Sequence, residues 1–297
     1  MTTLITGGSG LIGTEIAAQL GDDVVAYDLE PPAESPPGVA ATVEGDVADR
    51  AALAEAVAAH DVDRIVHLAA MIGGTTNERP TAATQANVVG TDNVLSVARE
   101  AGVDRVVWAS THSVYGDPDQ YDGPVGEEVR PEASFTEFPD ASYYAAIKQL
   151  NEFQSRLYAE KGLEVHAVRP SFVFGPGRER GWKGNLIDDA LAGEGHIPHP
   201  PDAEINFVYV ADVAALFARL LTGDPAHHVY NTGGHRLTMR QVADVVAEVT
   251  GGTVTCDPDG GRLSFPVEYD YDRARTDLGY ELTPFAECVR DYVERVS

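Results

Sequence analysis

Tyr144 and Lys148 are the two residues whose types and spacing most directly indicate chemistry. They lie in residues 142–148, Ser-Tyr-Tyr-Ala-Ala-Ile-Lys, a stretch that predicts the beginning of a helix. Positions i and i+4 share one helix face, so the two side chains are expected to lie together. A tyrosine hydroxyl has a pKa of about 10 and is a poor base at neutral pH, but a nearby ammonium group favours its ionised form. The pair is therefore a candidate for proton transfer, although the same spacing also occurs in helices that carry no chemistry.

Hydroxyl groups follow an apolar segment about thirty residues earlier. Val106–Trp108 predicts a strand, and Ser110 and Thr111 come directly after it. Open α/β sheets bind ligands at the carboxyl ends of their strands, so Thr111 is a candidate to hold a substrate oxygen opposite Tyr144. His112 either donates to a substrate hydroxyl or carboxylate, or only orders the loop, and both readings stay open.

A glycine-rich segment near the amino terminus predicts a site for a dinucleotide. Gly7, Gly10 and Gly13 follow the apolar residues Leu4 and Ile5 with the spacing Gly-x-x-Gly-x-x-Gly. The first glycine allows a tight turn, the second lets the backbone approach a pyrophosphate, and the third lets a helix pack on the sheet. An ordinary glycine-rich loop is the alternative, because this pattern alone is weak.

Asp28 indicates which dinucleotide binds. It ends a predicted second strand, where a carboxylate accepts hydrogen bonds from the ribose hydroxyls and repels a 2′-phosphate. No Lys, Arg or His precedes Arg50, so this part of the chain offers no cation to neutralise an additional phosphate. The sequence therefore favours NAD over NADP, with a solvated loop acid as the alternative.

The next predicted elements continue this pattern. A third strand over 41–47 ends at Asp46 and Val47, which are expected beside the adenine amine and ring. A fourth strand over 63–70 contains His67, which we interpret as a hydrogen-bonded core residue. The following segment, 71–80, is predicted to be a loop on the substrate side or a plain connection, and Asn87 in the next helix is expected to bind backbone near the site.

Charge is the unusual property of the composition. Asp and Glu number 47 against 21 Lys and Arg, which gives a net charge of −26. Such a chain repels itself in dilute buffer, and it offers no basic patch for a nucleic acid or an anionic membrane. The composition resembles that of cytoplasmic proteins of extreme halophiles; a merely acidic mesophilic protein is the alternative.

Neither a membrane protein nor a metal site is predicted. Hydrophobic residues form 43% of the chain, but no apolar run approaches the roughly 18 residues that span a bilayer. No signal segment is apparent at Met1, so a cytoplasmic location is expected. The two cysteines, Cys256 and Cys288, lack the spacing of metal ligands and are typical of a reduced compartment.

The ordered set of segments resembles the extended short-chain dehydrogenase/reductase family, which includes sugar-nucleotide epimerases and dehydratases. The residues that carry the resemblance are 6–13, Asp28, 46–47, 67–70, 87–91, 110–111, 113–116, Tyr144, Lys148, 169–170 and 173–176. It implies an α/β fold with a Rossmann-type doubly wound parallel sheet and a smaller C-terminal substrate lobe. Residues 1–171 and 207–231 would form the NAD-binding domain, and residues 172–206 and 232–297 the lobe.

The resemblance also implies roles for site residues. Tyr144 would be the catalytic acid/base, Lys148 would lower its pKa and bind the nicotinamide ribose, and Thr111 would bind the reacting oxygen. With the assignments above, the expected NAD-binding residues are Gly7, Gly10, Leu11, Ile12, Gly13, Asp28, Asp46, Val47, Leu68, Ala69, Ala70, Asn87, Tyr144, Lys148, Pro170 and Ser171. The expected substrate-binding residues are Met71, Gly73, Thr111, His112, Tyr144, Phe172, Asn185 and Arg262.

Several positions depart from the nucleotide-sugar epimerases. Phe172 stands where they typically have Asn, and Ile205-Asn206 precedes Phe207 where they have an Arg, which removes two contacts to a diphosphate. Arg262 is a candidate replacement, while Arg178, Arg180 and Lys183 add positive charge. Asn185 lies in an Asn-Leu pair that resembles one of the remaining diphosphate contacts.

These departures favour an NAD-dependent dehydrogenase of a free sugar. A nucleotide-sugar epimerase with tightly bound NAD is the close alternative, and a non-catalytic NAD(H)-sensing protein is a third. Dehydration is disfavoured, because His112 and Ser113 follow Thr111 where the dehydratases have Asp-Glu. By analogy with the family, a homodimer or higher homo-oligomer is expected through the two long helices that contain 87–95 and 144–158.

Overall fold

The computed structural model describes residues 1–21, 23–32, 35–116, 121–130, 139–177, 182–261 and 267–297, without the side chains of 139–142 and 182–185. The strands are β1 Thr2–Thr6, β2 Val24–Asp28, β3 Val39–Glu44, β4 Val62–His67, β5 Arg105–Ala109, β6 Val165–Arg169, β7 Phe172–Phe174, β8 Glu194–Ile197, β9 Glu204–Tyr209, β10 Val229–Asn231, β11 His235–Thr238 and β12 Thr253–Cys256. The α-helices are α1 Leu11–Leu20, α2 Arg50–Ala59, α3 Gly74–Glu78, α4 Pro80–Ala83, α5 Gly90–Ala101, α6 Pro139–Glu160, α7 Trp182–Leu191, α8 Val210–Thr222, α9 Met239–Thr250, α10 Asp272–Leu278 and α11 Phe285–Val296.

A seven-stranded parallel sheet organises the fold. Its order is β10-β6-β5-β4-β1-β2-β3, so the direction in which strands are added reverses between β1 and β4. A crevice forms at the carboxyl ends of the strands at such a reversal. The prediction of a Rossmann-type doubly wound sheet is therefore confirmed.

Both faces of this sheet are buried. Leu4 and Val106 face a core cluster that also contains residues of α2 and α5, whereas Ile5 and Val107 face a second cluster with residues of α1 and α8. Successive strand residues point to opposite faces, and this is why the strands read as continuous apolar runs.

Two smaller sheets form the carboxyl-terminal part. Strands β11, β9 and β7 form one of them and β12 pairs with β8, while α7, α9 and α11 cover a third core cluster. Strand β10 pairs with β6 in the main sheet and α8 packs on that sheet, whereas β9, which overlaps the beginning of the segment 207–231, pairs with β7 and β11. The division of the chain into an NAD-binding domain and a lobe stays a prediction.

The sequence predicts which strands and helices form more accurately than it predicts the residues at which they end. The third strand ends at Glu44 rather than at position 47, because Asp46 Oδ1 accepts a hydrogen bond from Ala48 N and turns the chain. The segment 71–80 contains the short helix α3 rather than only a loop. Thr238 forms the capping box of α9, as its position before the helix predicts.

No helix in the described ranges is both long and apolar enough to cross a membrane.

Candidate active site

The glycine-rich turn brings the ends of β1 and β4 into contact. Gly7 has φ +70°, and a Cβ there would lie 2.9 Å from Ala69 N. A Cβ at Gly13 would lie 2.6 Å from Gly7 O, so α1 can begin only if both positions lack a side chain. At Gly10 the nearest atom to an added Cβ is Gly7 O at 3.3 Å, a tight contact that requires a shift of a few tenths of an ångström. The protein's own packing therefore demands glycine at positions 7 and 13 and restricts position 10 much less.

This difference gives a testable contrast between two alanine variants. Gly13→Ala is expected to lower the free energy of unfolding by about 1–3 kcal/mol, because the new methyl group overlaps backbone. Gly10→Ala is expected to change the free energy of unfolding by less than about 1 kcal/mol but to bind NAD about tenfold more weakly or worse, since its methyl group occupies the approach to the pyrophosphate. Thermal unfolding and NAD titration by calorimetry measure the two effects. Wild-type NAD affinity in Gly10→Ala would remove this glycine from the cofactor site.

The beginning of α1 fits the pyrophosphate of NAD. In the described part of the chain no side chain caps this helix at Gly10, and its first turn carries no acidic residue. The N–H groups at a helix start without a side-chain cap favour an anion. Ser9 Oγ is buried with no hydrogen-bond partner among the described residues, which is costly unless a ligand supplies one. Ser9 N donates to Asp28 Oδ2 at 3.0 Å, so the turn and the predicted ribose acid lie side by side.

Asp46 and Val47 lie at the neighbouring strand end. The Asp46 carboxylate accepts from Ala48 N at 2.8 Å and is exposed. The buried Val47 packs so closely on Gly90 that a Cβ there would lie 2.6 Å from Val47 Cγ2. Both residues thus shape this rim of the sheet, and their contacts to adenine stay predictions.

Asn87 supports the site through the backbone. It lies in a π-helical turn, Thr84–Val89, and its side chain accepts from Met71 N and donates to Met71 O, both at 2.8 Å. The prediction that Asn87 binds backbone near the site is confirmed. Each polar atom of the amide keeps one further hydrogen-bonding position beside its contact with Met71, so the assignment of Asn87 to NAD binding stays a prediction.

Hydrogen bonds to Thr6 fix the segment after β4 against the end of β1. Leu68 N donates to Thr6 O at 2.9 Å, and Ala69 N to Thr6 Oγ1 at 3.3 Å. Ala70 and Met71 follow, and Gly73, with φ +58°, precedes α3. This places the expected cofactor residues 68–70 directly beside the glycine-rich turn.

His67 is a structural core residue, as predicted. Its ring nitrogens form hydrogen bonds with Thr6 Oγ1 at 2.7 Å and with Thr91 Oγ1 at 3.0 Å. Burial, with a smaller effect of the Lys148 charge, lowers its pKa from 6.5 to about 3. The imidazole is therefore neutral at physiological pH.

Tyr144 and Lys148 lie on one face of α6 against the end of β5. Lys148 Nζ donates to Ala109 O at 2.7 Å and lies 5.7 Å from the ring centroid of Tyr144. It also lies 5.6 Å from the ring centroid of Trp108. The helical spacing therefore brings the two predicted catalytic groups together.

The pKa of Tyr144 differs from the expectation. Tyr144 keeps part of its surface exposed, yet burial raises the pKa of its hydroxyl above the ordinary value. Burial also lowers the pKa of Lys148 from 10.5 to about 8, against the effect of Glu152, which raises it. The predicted lowering of the Tyr144 pKa by Lys148 is therefore not seen in this arrangement, because loss of solvation outweighs the attraction between the two groups.

Thr111 and His112 begin a 3₁₀ turn, His112–Tyr115, after β5. Thr111 Oγ1 accepts a hydrogen bond from Ser113 N and donates to Ser113 Oγ, each at 3.2 Å. His112 donates to Pro170 O through its backbone N at 3.0 Å and through Nδ1 at 2.8 Å. At minimum, therefore, His112 orders the loop by tying the ends of β5 and β6 together.

Pro170, Ser171 and Phe172 occupy the other side of this region. Ser171 N donates to Thr232 Oγ1 at 3.2 Å, and Ser171 Oγ donates to Gly233 O at 3.0 Å. The Phe172 ring lies 4.9 Å from that of His112, between ring centroids. The Tyr269 ring lies 5.2 Å from the same histidine in a tilted orientation, so two aromatic rings contact His112.

A buried polar network behind these residues was missed by the sequence analysis. Glu152 and Arg169 form a bidentate ion pair, with Nε–Oε1 2.8 Å and Nη2–Oε2 2.7 Å. Arg169 Nη1 donates to Tyr115 Oη at 2.7 Å, and Tyr115 Oη donates to Asn231 Oδ1 at 2.8 Å. The available signal was Glu152 itself, an acid one helical turn after Lys148 on the same face.

Positions proposed for a diphosphate are only partly described. Asn206 is buried in β9, where its Nδ2 donates to Gly234 O at 3.4 Å and to Val267 O at 3.3 Å, so it takes a structural position. Arg262, Arg178 and Arg180 lie outside the described residues, as do the side chains of Asn185 and Lys183.

Comparison with known proteins agrees with this geometry. The sequence profile of the NAD dependent epimerase/dehydratase family matches residues 3–233. The UDP-glucose 4-epimerase of Corynebacterium glutamicum is 28% identical, over 99% of this chain and 94% of that protein.

Solved structures of the same type cover the whole chain. The Thermus thermophilus UDP-glucose 4-epimerase in complex with NAD has a TM-score of 0.78 and 26% identity, over 99% of this chain and 98% of that one. An L-threonine dehydrogenase from Cupriavidus necator shares the fold, with a TM-score of 0.83 and 24% identity over 99% of both chains.

The matched segment contains the glycine-rich turn, the Tyr144–Lys148 pair and the strands that position them. Catalysis by the relatives sets aside the alternative of a protein that only senses NAD(H). The chain therefore belongs to the NAD-dependent epimerase/dehydratase family and is an NAD-dependent enzyme of the extended short-chain dehydrogenase/reductase type.

Proposed function

We propose that the protein is a dehydrogenase that removes hydride from a carbinol carbon of a free sugar or a sugar-like substrate. The observation that carries this proposal is the contact between the Tyr144–Lys148 face of α6 and the end of β5, where Lys148 binds Ala109, two residues before Thr111. Such a set supplies one proton-transfer group, one cation and one hydroxyl that can bind a substrate oxygen.

Each residue has a defined task in this proposal. Tyr144 takes the proton of the substrate hydroxyl, and the Lys148 ammonium stabilises the resulting phenolate. Thr111 binds the reacting oxygen, and Pro170 and Ser171 form the wall beside the nicotinamide. Bound NAD supplies the hydride acceptor. Oxidation of an aldose at its anomeric carbon then gives a lactone.

The substrate side supports a compact substrate. The ring of Phe172, which keeps part of its surface exposed, lies beside His112, and sugar C–H faces pack well on such a ring. Ile205 and Asn206, the pair that precedes Phe207 where the epimerases have an arginine, are buried, and Asn206 is hydrogen-bonded to backbone. Phe172, Ile205 and Asn206 offer no positive charge for a diphosphate.

A nucleotide-sugar epimerase is the second candidate. Its support is that the relative named UDP-glucose 4-epimerase matches 99% of this chain. In this case NAD stays bound and the hydride returns to the opposite face of the same carbon, without net formation of NADH.

NADH absorbance distinguishes the candidates. The purified protein, in high-salt buffer with NAD, is mixed separately with free pentoses, hexoses, uronic acids, UDP-glucose and L-threonine. Accumulation of NADH with one free sugar supports the proposal. Conversion of UDP-glucose to its epimer without NADH, and no reaction of the free sugars, contradicts it and supports the epimerase. NADH formed only with L-threonine also contradicts it, and assigns an amino-acid substrate instead.

We also propose a homodimer through the exposed face of α6. Leu150, Phe153 and Leu157 recur at i, i+3 and i+7 and expose 46%, 72% and 49% of their surfaces, and Val89 beside them exposes 37%. Helix α6 packs on α5, so the two helices of one chain present a common apolar face to a second copy.

Phe153→Glu is expected to convert the dimer into a monomer, because it places a charge at the most exposed apolar position of that face. Light scattering after size exclusion measures the mass. Leu191→Glu is the matched control: it alters a residue of α7 with 38% exposure and leaves the mass unchanged. A wild-type protein that is monomeric at every concentration would contradict the proposal.

A further inference from the structure

Helix α6 binds two successive residues at the end of β5 with two side chains one turn apart. Lys148 Nζ donates to Ala109 O at 2.7 Å, and Glu152 Oε1 accepts from Ser110 Oγ at 2.7 Å. The lysine therefore holds the backbone of one residue, and the glutamate holds the side chain of the next. Glu152 thus helps to fix the segment that carries the acceptor of the lysine.

The same carboxylate reaches the end of β6. Its two oxygens form the bidentate pair with Arg169, the residue directly before Pro170. Glu152 exposes 4% and Arg169 exposes 2% of their surfaces, so this pair is shielded from solvent and salt. One side chain thus connects α6, β5 and β6 around the predicted nicotinamide position.

We propose that Glu152 is a positioning residue that keeps the Lys148 ammonium group charged and fixed on Ala109 O. The catalytic importance of this task rests on the role given to Lys148 in the proposed function. The electrostatic effect itself does not depend on the identity of the substrate.

Groups on four elements surround Lys148, and they differ in charge. His67 of β4 is neutral, because burial lowers its pKa to about 3. Tyr144 of α6 is neutral, because burial raises its pKa. Trp108 of β5 offers an uncharged ring face at 5.6 Å, and Arg169 of β6 is cationic.

Glu152 is therefore the anion among these neighbours that opposes the loss of solvation. It raises the pKa of Lys148, which burial alone would place lower than about 8. Removing the carboxylate also leaves the Arg169 charge without its partner. Both consequences disfavour the ammonium form of Lys148, so they act in the same direction.

Because the chain contains few lysines, the pKa of Lys148 can be measured separately from those of the others. The chain contains only Lys148, Lys161 and Lys183. Protein labelled with ¹³C at the lysine ε-carbons gives three NMR signals, and Lys148→Arg identifies the signal of Lys148 by its loss. The pH titration of that signal reports the Lys148 pKa directly, without substrate or added NAD.

We expect Glu152→Gln to shift the Lys148 titration to lower pH by about one unit. Lys161, the residue directly after α6, serves as the internal control, and the midpoint of its titration is expected to stay unchanged. Ser110→Ala removes the hydrogen bond to Glu152 without changing any charge, so its shift is expected to stay below about a third of a unit.

The variant Glu152→Gln/Arg169→Gln covers the case in which the single variant does not fold, since it removes both buried charges. Its Lys148 titration is expected to shift in the same direction but less. An unchanged Lys148 titration in a folded variant lacking Glu152, or a shift to higher pH, overturns the proposal. Failure of the proposed function would show in the substrate assay and leave this titration unaffected, so the two failures are distinguishable.

Discussion

Tyr144→Phe is expected to lower kcat by about a thousandfold, while NAD affinity stays within about twofold of the wild-type value. The substitution removes only the hydroxyl, which in the proposed function takes part as phenolate in proton transfer from the substrate. The ring remains in place 5.7 Å from Lys148 Nζ, so the packing of α6 against β5 is preserved. Initial rates with the substrate identified in the absorbance assay, together with calorimetric titration of NAD, measure the two quantities.

Tyr143→Phe provides the matched control on the same helix. The Tyr143 hydroxyl is hydrogen-bonded to Thr84 Oγ1 at 2.8 Å and contributes to the contact with the π-helical turn. Its removal is expected to cost about 1 kcal/mol of stability but little activity. Comparable losses of kcat in the two variants, or persistent turnover in Tyr144→Phe, would show that the acid/base lies elsewhere.

The second large effect expected is that of salt on stability. With a net charge of −26, the folded chain concentrates like charges that the unfolded chain holds farther apart. The screening length falls from about 10 Å at 0.1 M salt to about 3 Å at 1 M. We therefore expect the unfolding temperature to rise by about 10 °C between 0.1 M and 2 M NaCl, as measured by circular dichroism.

Unfolding temperatures measured in sodium sulfate as well as in NaCl distinguish charge screening from the general strengthening of apolar burial by salt. At equal ionic strength, screening by NaCl and Na₂SO₄ is equal, and most of the stabilisation should appear below about 1 M in both. A continuing rise that is much steeper in sulfate would assign the effect to apolar burial. An unfolding temperature that does not change between 0.1 M and 2 M NaCl contradicts the halophilic interpretation of the composition.

Short-range patterns were predicted correctly because they depend on neighbours in the chain. The positive φ of Gly7, the Thr238 cap and the common face of Tyr144 and Lys148 each follow from residues within one or two turns. The sheet was predictable for a similar reason, since each βα unit carries its own apolar strand and amphipathic helix. Family resemblance then supplied the order of these units.

Properties that depend on burial required the tertiary structure. The pKa of Tyr144 rises where the helical spacing alone predicts a decrease, because the surrounding protein removes solvent from the hydroxyl. The tertiary structure also decides what Asn87 holds, because both polar atoms of its amide bind the backbone of Met71, 16 residues earlier in the chain. Periodicity describes which face of an element is apolar, but it does not report which polar atoms are already paired.

The amino-acid sequence by itself therefore determined the cofactor class and the shared helix face of Tyr144 and Lys148, which are encoded in local spacing, and its family resemblance supplied the order of the elements. Only the tertiary structure decided how Glu152 and Arg169, which lie on α6 and β6, are joined to Ser110 at the end of β5. The physical reason is that a buried ion pair forms between distant segments and is stable only with its full set of hydrogen bonds, a condition that no local pattern records.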